Sequence, residues 1–320
     1  MAVHYTPNQL ENYLERIGYG ASETGSSRIT TLEAGLKSDT LATIAQLQRL
    51  HLSSIPWGNS ALHYSQHHSI STHPSAVFEK LVIRRLDGYC METTNLFYVV
   101  LRSFGLQVYP TAGRVSSAAT DPKNGWRDVR YGSLSHMVII LTLDGRKYMV
   151  DVGFGNNCPT APLLLEDTLE PRIVDNLPPA QMTVVKQPLP EAVDQSQKFW
   201  IYKVRFDSKS VWVPFYAFSE TEFLPEDFAM MNLQTSKLPS SCFTQRVLGV
   251  RHLFSKDENR LTGMVIMSGN EVKSRKNGET ELLETLEGEE ARVKALKNHF
   301  GVALLDHEVA GIKGLGSELR

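Results

Sequence analysis

The strongest structural signal in this sequence is a pair of predicted strands joined by a two-residue turn. Met137 to Leu143 is a continuous apolar run, which is typical of a strand covered on both faces. Asp144-Gly145 follows, and this dipeptide favours the tight turn of a β-hairpin. Lys147 to Val152 is then predicted to return as the antiparallel partner.

The same turn predicts which side chains can meet. If the loop has two residues, Leu143 faces Arg146, and Asp151 then faces Val138. His136 lies two residues before Val138 and therefore on the same face. His136 and Asp151 become diagonal neighbours, with backbones ~7–8 Å apart, which their side chains can bridge. A three-residue loop would shift the register by one and place them on opposite faces.

The first hundred residues are predicted to be helical. A capping box with proline starts the first helix, and others are expected near residues 39–50 and from Pro74. A fourth helix is expected from Cys90 to the cap at Gly105. Cys90 therefore lies at a helix start, directly after a turn that contains Gly88.

The second half of the chain is predicted to mix strands and helices. Residues 157–197 are rich in proline and aperiodic, which indicates a long surface insertion. Strands are expected near residues 199–206, 211–215, 246–253 and 263–267, and helices near 222–232 and 289–300. This order predicts an α+β protein in three parts.

Composition argues against several classes of function. The chain has 320 residues and a formal net charge of −2, so no basic excess would attract nucleic acid or an anionic membrane. No apolar run approaches the ~20 residues of a membrane helix, and no signal peptide is expected. Cys90, Cys158 and Cys242 are odd in number and far apart. They argue against disulfides and fit a reducing cytoplasm.

Cys90 is the candidate nucleophile. The start of a helix offers unpaired N–H groups and a partial positive charge, which favour a thiolate and could hold an oxyanion. Asp151 would orient His136 and stabilise its charged form. The alternative is structural: a cysteine in apolar surroundings is usually an inert buried residue, and an Asp before Gly153 is usually a turn former.

A histidine cluster was considered as a metal site. His67, His68 and His73 lie close together before Pro74. Because no carboxylate or cysteine accompanies them at ligand spacing, a solvated loop is expected and no metal is predicted. Cys158 and Cys242 are interpreted as structural, since neither lies at a predicted helix start with a polar partner.

Several motifs, in a fixed order, resemble the arylamine N-acetyltransferases. They are Pro56-Trp57-Gly58-Asn59, Gly88-Tyr89-Cys90-Met91-Glu92, Ser135-His136-Met137, Val150-Asp151-Val152-Gly153-Phe154-Gly155 and Gln234-Thr235-Ser236. The resemblance covers nearly the whole chain and points to a eukaryotic, fungal-like member. It implies a helical bundle (residues 1–106), a β-barrel (107–217) that includes the insertion, and an α/β lid with a connecting helix (218–320).

The resemblance also implies an activity and its residues. A Cys90-His136-Asp151 triad would transfer an acetyl group from acetyl-CoA to an aromatic amine or hydrazine in a ping-pong scheme, as in xenobiotic metabolism. Acetyl-CoA is then a co-substrate, with no permanently bound cofactor, and the protein is expected to be a monomer. Family positions for the substrate pocket map to Trp57, Val115 and Phe154, and those for CoA to Gly153 and Ser236.

The sequence departs from the family near its cysteine, and other functions stay open. Leu86-Asp87 replaces the usual Arg-Gly, Thr94 the usual Asn, and Trp57-Gly58 the usual Phe-Glu. The donor could instead be malonyl-CoA or propionyl-CoA, with Arg114 as a candidate cation for a malonyl carboxylate. A member that binds CoA or aromatics without turnover and a triad hydrolase are the remaining alternatives.

Overall fold

Helices form the first part of the protein. The computed structural model describes residues 3–20, 27–119 and 125–319. The helices before the main sheet are α1 (Pro7–Ile17), α2 (Arg28–Ser38), α3 (Thr40–Ser54), α4 (Ser60–Tyr64), α5 (Pro74–Phe78) and α6 (Cys90–Ser103). A π-helical turn, Glu79–Ile83, extends α5. The capping box of α1 is present, with Gly18 in the left-handed conformation at its end. Helix α2 was not predicted, because it buries only Leu32 and shows no apolar stripe.

An eight-stranded antiparallel sheet forms the middle of the molecule. A short strand, β1 (Trp57–Gly58), precedes it in the chain. The sheet contains β2 (Gln107–Ser116), β3 (Tyr131–Leu143), β4 (Arg146–Val150), β5 (Leu163–Leu164), β6 (Val174–Asp175), β7 (Gln181–Pro188), β8 (Lys198–Arg205) and β9 (Val213–Phe218). Their spatial order is β5-β4-β3-β2-β9-β8-β7-β6, and β5 approaches β7, so the sheet nearly closes into a barrel.

The prediction of an irregular insertion at residues 157–197 is wrong. They hold three strands of the barrel, β5, β6 and β7, where the sequence predicted an irregular insertion. Strand β7 pairs with β8 along its whole length, and Met182 and Val184 enter the barrel core. The prolines around β7 mask this strand in the sequence, because they are read as loop signals.

The hairpin register agrees with the prediction. Asp144 and Gly145 have φ values of 50° and 73°, as a two-residue turn of this kind requires. Leu143 faces Arg146, and the pairing continues to Ile139 and Val150. Strand β4 therefore places Asp151 beside the part of β3 that carries His136.

The last third combines a smaller sheet with helices. It contains β10 (Leu248–Ser255), β11 (Arg260–Ser268), β12 (Glu271–Lys276) and β13 (Glu279–Thr285), in the order β1-β10-β11-β12-β13. Its helices are α7 (Pro225–Lys237), α8 (Cys242–Gln245), α9 (Glu289–Ala295) with a π-helical turn Leu296–Phe300, and α10 (Asp306–Val309). The predicted α+β class is confirmed.

Buried polar contacts join this last part to the helical part. Arg292 of α9 is 1% exposed and donates to the Tyr64 hydroxyl at 2.8 Å and the Ser317 carbonyl at 2.8 Å. Across the described ranges, none of the helices is long and apolar enough to cross a bilayer.

Candidate active site

Cys90 is the first residue of α6. The N–H groups of Glu92 and Thr93 donate to the Tyr89 carbonyl at 2.9 and 3.0 Å, which closes the first turn. The Glu92 carboxylate accepts from the Tyr89 N–H at 3.3 Å. Within the described residues, the N–H groups of Cys90 and Met91 have no protein acceptor. The helix start therefore presents free donors next to a sulfur that is 5% exposed.

A β-bulge brings the strand of His136 to this sulfur. Gly113 of β2 pairs with His136, but the next residue, Arg114, pairs with Leu134, so Ser135 has no partner in β2. Cys90 Sγ lies 3.6 Å from the Ser135 carbonyl oxygen. Bulges are common beside active sites because they redirect the backbone locally.

His136 and Asp151 make the contact predicted from the hairpin. His136 Nε2 lies 2.8 Å from Asp151 Oδ2, and both side chains are buried. Two further donors hold the carboxylate: the Tyr216 hydroxyl at 2.8 Å from Oδ2 and the Gly153 N–H at 2.7 Å from Oδ1. Gln48 fixes the Asp151 backbone by donating to its carbonyl at 2.8 Å.

The charge state of His136 differs from that of the other buried histidines. Burial opposes its positive charge, but the Asp151 carboxylate and a hydrogen bond with Cys90 outweigh it, so the pKa of His136 is raised above its ordinary value. Burial instead lowers the pKa of His51 and His252 to about 3, and that of His63 to about 4. The raised pKa favours the imidazolium form of His136 at neutral pH.

Aromatic side chains surround the triad. The ring of Phe154 lies 5.0 Å from that of His136 and 4.8 Å from that of Tyr216. Trp57 packs into the apolar cluster that contains Cys90 and lies 5.6 Å from the ring of Phe243. Val115, the third predicted pocket residue, is half-buried in β2 and pairs with Tyr216.

Gly153 and Ser236, predicted as CoA contacts, are both buried near the nucleophile. A Cβ at Gly153 would lie 2.8 Å from Cys90 Cα and 2.4 Å from Thr94 Oγ1, so only glycine allows this approach. Ser236 of α7 lies close enough to the side chain of Tyr89 to influence its pKa. Their contact with CoA stays a prediction.

Two of the departures from the family pattern, Asp87 and Gly58, fit each other sterically. The Asp87 carboxylate is buried and accepts from the Ser60 N–H at 3.2 Å and from the Ser60 hydroxyl. A Cβ at Gly58 would lie 2.1 Å from Asp87 Oδ2, so glycine at 58 makes room for this carboxylate. The third departure, Thr94, is buried, and its hydroxyl has no hydrogen-bond partner among the described residues.

A groove of about 740 Å³ lies between α7 and the start of β3. Arg114, Ser133 and Gln234 contribute polar atoms to it, and Leu134 and Met231 also pack in the cluster around Cys90. Arg114 donates to the Gly132 carbonyl at 3.0 Å. No carboxylate in the described ranges pairs with this guanidinium.

Several contacts at the site were not predicted from the sequence. They are those of Gln48, Ser135, Tyr216 and the Tyr89–Asn232 pair, in which the tyrosine hydroxyl donates to the amide of α7. All of them join residues far apart in the chain, so no local pattern marks them.

Of the other cysteines, Cys158 is buried with its thiol on the Asp151 carbonyl at 3.4 Å, and Cys242 is exposed. The described residues contain no group of three potential ligands for a metal.

Comparisons with known proteins agree on one relationship. The model of an N-acetyltransferase family matches residues 40–309. An N-malonyltransferase, FDB2, of Fusarium pseudograminearum is 30% identical over 96% of this chain and 92% of its own length. Human arylamine N-acetyltransferase 1 is 28% identical over 92% of this chain and 94% of its own length. The Mycobacterium marinum arylamine N-acetyltransferase in complex with CoA has a TM-score of 0.72 and 25% identity, covering 96% of this chain and 99% of that one.

Proposed function

This chain belongs to the arylamine N-acetyltransferase family and is an acyltransferase, and from that premise we propose that Cys90 carries an acyl group from an acyl-CoA to an aromatic amine or hydrazine. The observations that support this most directly are the 2.8 Å contact between His136 and Asp151 and the place of Cys90 at the start of α6, where it helps to raise the pKa of His136. This is the arrangement by which a thiol is deprotonated and its partner imidazolium kept charged.

In the first half-reaction the Cys90 thiolate attacks the thioester carbonyl of the acyl-CoA. The free N–H groups of Cys90 and Met91 stabilise the oxyanion that forms. The bond between the carbonyl carbon and the CoA sulfur then breaks. The His136 imidazolium gives its proton to the departing thiolate, so free CoA and an acyl-Cys90 thioester result.

In the second half-reaction the amine attacks the acyl-Cys90 carbonyl. His136, now neutral, accepts a proton from the attacking nitrogen, and the carbon–sulfur bond breaks. The products are the amide and the original Cys90 thiolate beside a charged His136. Trp57 and Phe154 flank this position with apolar rings, which suit an aromatic acceptor.

Incubation with an acyl-CoA in the absence of an amine acceptor distinguishes this proposal from its alternatives. Incubation with acetyl-CoA or malonyl-CoA is expected to leave an acyl adduct on Cys90 in intact-protein mass spectrometry. Cys90→Ala should show no adduct, and the exposed Cys242→Ala control should show the parent's. An equally acylated Cys90→Ala variant excludes the triad assignment, and absence of any adduct in the parent favours a protein that only binds. Rapid loss of the adduct without amine favours a hydrolase.

A malonyl donor is the second candidate function. Two observations favour it: the FDB2 relatives are N-malonyltransferases, and Arg114 lies in the groove beside the Cys90 cluster with a guanidinium that no carboxylate of the described residues pairs with. A guanidinium binds a carboxylate through two parallel N–H groups, whereas an acetyl group offers it nothing. The malonyl carboxylate would therefore be held at Arg114 while its thioester reaches Cys90.

A donor panel with one arylamine acceptor tests this assignment. Arg114→Gln should lower kcat/KM for malonyl-CoA roughly tenfold or more, the size of one charge-assisted hydrogen bond, and leave acetyl-CoA unchanged. Arg130→Gln, which removes an exposed arginine that pairs with Asp128, is the matched control. If the parent uses acetyl-CoA far faster than malonyl-CoA, the malonyl assignment is wrong and the acetyl donor stands.

A further inference from the structure

A second cavity lies between the barrel and the five-stranded sheet. Its volume is about 520 Å³. The barrel contributes Val204 and Phe206, and the five-stranded sheet contributes His252 and Arg275. None of the triad or predicted pocket residues is among those that line it.

On the side of the five-stranded sheet, the cavity is lined by residues that pair directly with one another across neighbouring strands. His252 of β10 faces Met264 of β11, Met264 faces Arg275 of β12, and Arg275 faces Thr280 of β13. Directly paired residues point to the same face of a sheet. This pairing therefore places Arg275 within the wall of the cavity, beside a buried histidine.

Arg275 has donors that the protein does not use. Its Nη2 donates to the Asn156 carbonyl at 2.6 Å, to Asn157 Oδ1 at 3.2 Å and to Met264 Sδ at 3.5 Å. A guanidinium has five N–H groups, so three are left without a protein acceptor in the part of the chain that the structure describes. Within the same ranges no carboxylate lies within 4.0 Å of this side chain. A half-buried charge without a counter-ion is unfavourable, and burial lowers the pKa of Arg275.

The nearest acidic side chain on the cavity wall is already satisfied. Asp207 accepts from the Lys209 N–H at 2.7 Å and from the Ser210 N–H at 2.8 Å. His252 adds no negative charge. Arg275 lines the cavity, so its N–H groups that have no acceptor among the described residues are the donors that a small anion bound there would use.

The apolar lining residues indicate the kind of anion. Leu177, Pro179 and Phe206 also line the cavity, so an organic body gains contacts that inorganic phosphate would not. We propose that this cavity, the Arg275 cavity, binds a small organic carboxylate, with the carboxylate on the free N–H groups of Arg275 and the apolar body against these residues. The proposal does not depend on the acyl-transfer reaction.

Calorimetric titration of the full chain with benzoate tests the site, with benzamide and inorganic phosphate as comparison probes at constant ionic strength. Benzoate should bind saturably, and benzamide and phosphate at least tenfold more weakly. Arg275→Gln should weaken benzoate at least tenfold. Arg260→Gln, an exposed arginine of the same sheet paired with Glu258, should bind like the parent.

A variant that fills the Arg275 cavity keeps the test decisive if Arg275→Gln does not fold. Ala180 lines the cavity, and Ala180→Leu should abolish benzoate binding while retaining Arg275. Unchanged binding in both variants places benzoate elsewhere and overturns the proposal. So does the lack of saturable binding in the parent. Phosphate binding as tight as benzoate overturns the organic part of the assignment.

Discussion

At the scale of single residues, the environment of Asp151 organises the site. One of its oxygens accepts from both His136 and Tyr216, and the other from the Gly153 N–H. Buried carboxylates need such donors because an unpaired charge in the interior is costly. Tyr216 is the member of this set that no sequence pattern revealed.

Tyr216→Phe is expected to damage the site without unfolding the protein. The lost hydrogen bond to a charged group costs about 1.5–3 kcal/mol of unfolding free energy. Acylation of Cys90, followed by rapid-quench mass spectrometry, should slow roughly tenfold, which about 1.4 kcal/mol of lost transition-state stabilisation would produce.

Tyr202→Phe is the matched control for this prediction. Its ring lies 5.0 Å from that of Tyr216 in the same core, and its hydroxyl donates to the Asn157 carbonyl at 3.0 Å. The control should lose stability and retain the acylation rate. Equal acylation rates in the two variants would mean that Tyr216 has only a structural role.

At the scale of elements, the β3–β4 hairpin determines whether His136 and Asp151 can meet. The turn residues both have positive φ, and a shift of one residue would reverse the face of every side chain that follows. The neighbouring bulge at Ser135 is equally necessary for the thiol contact. However, a bulge arises from pairing with a distant strand, so only the turn could be predicted.

Substitutions in this turn should separate conformation from charge. Gly145→Val places a β-branched residue in the left-handed region and should cost about 1–2 kcal/mol of unfolding free energy, measured by urea denaturation. Asp144→Asn keeps a dipeptide that favours the same turn and should match the parent. Equal midpoints for the parent and Gly145→Val would refute the importance of this turn.

At the scale of the whole molecule, buried histidines make stability depend on pH. His51, His63 and His252 have lowered pKa values in the folded state but titrate near about 6.5 when unfolded. The unfolded chain therefore binds more protons below this pH. Their contribution to stability is complete above pH ~6.5 and is lost as the pH falls toward their folded pKa values. For His136 the sign is opposite: its contribution is complete below pH ~6.5 and is lost as the pH rises through its raised pKa.

The unfolding free energy should consequently fall between about pH 6.5 and 4.5. Replacing one buried histidine, His51→Gln, should reduce the slope in this window by about 1.4 kcal/mol per pH unit. The exposed His4→Gln is the control and should keep the parent's slope. Urea denaturation at a series of pH values measures both, and identical slopes in all three proteins would contradict the prediction.

The features that depend on neighbours in the chain could be predicted from the amino-acid sequence. These are the helix start at Cys90, the two-residue turn and its register, and the motifs that identify the family. Tertiary structure alone decided which distant groups complete the site, such as Tyr216 on Asp151 and Ser135 on Cys90. It also placed β7 in the barrel and left Arg275 without a counter-ion among the residues that the structure describes. The physical reason is that turns and caps are satisfied within a few residues, whereas buried donors and charges are satisfied across elements that only the fold brings together.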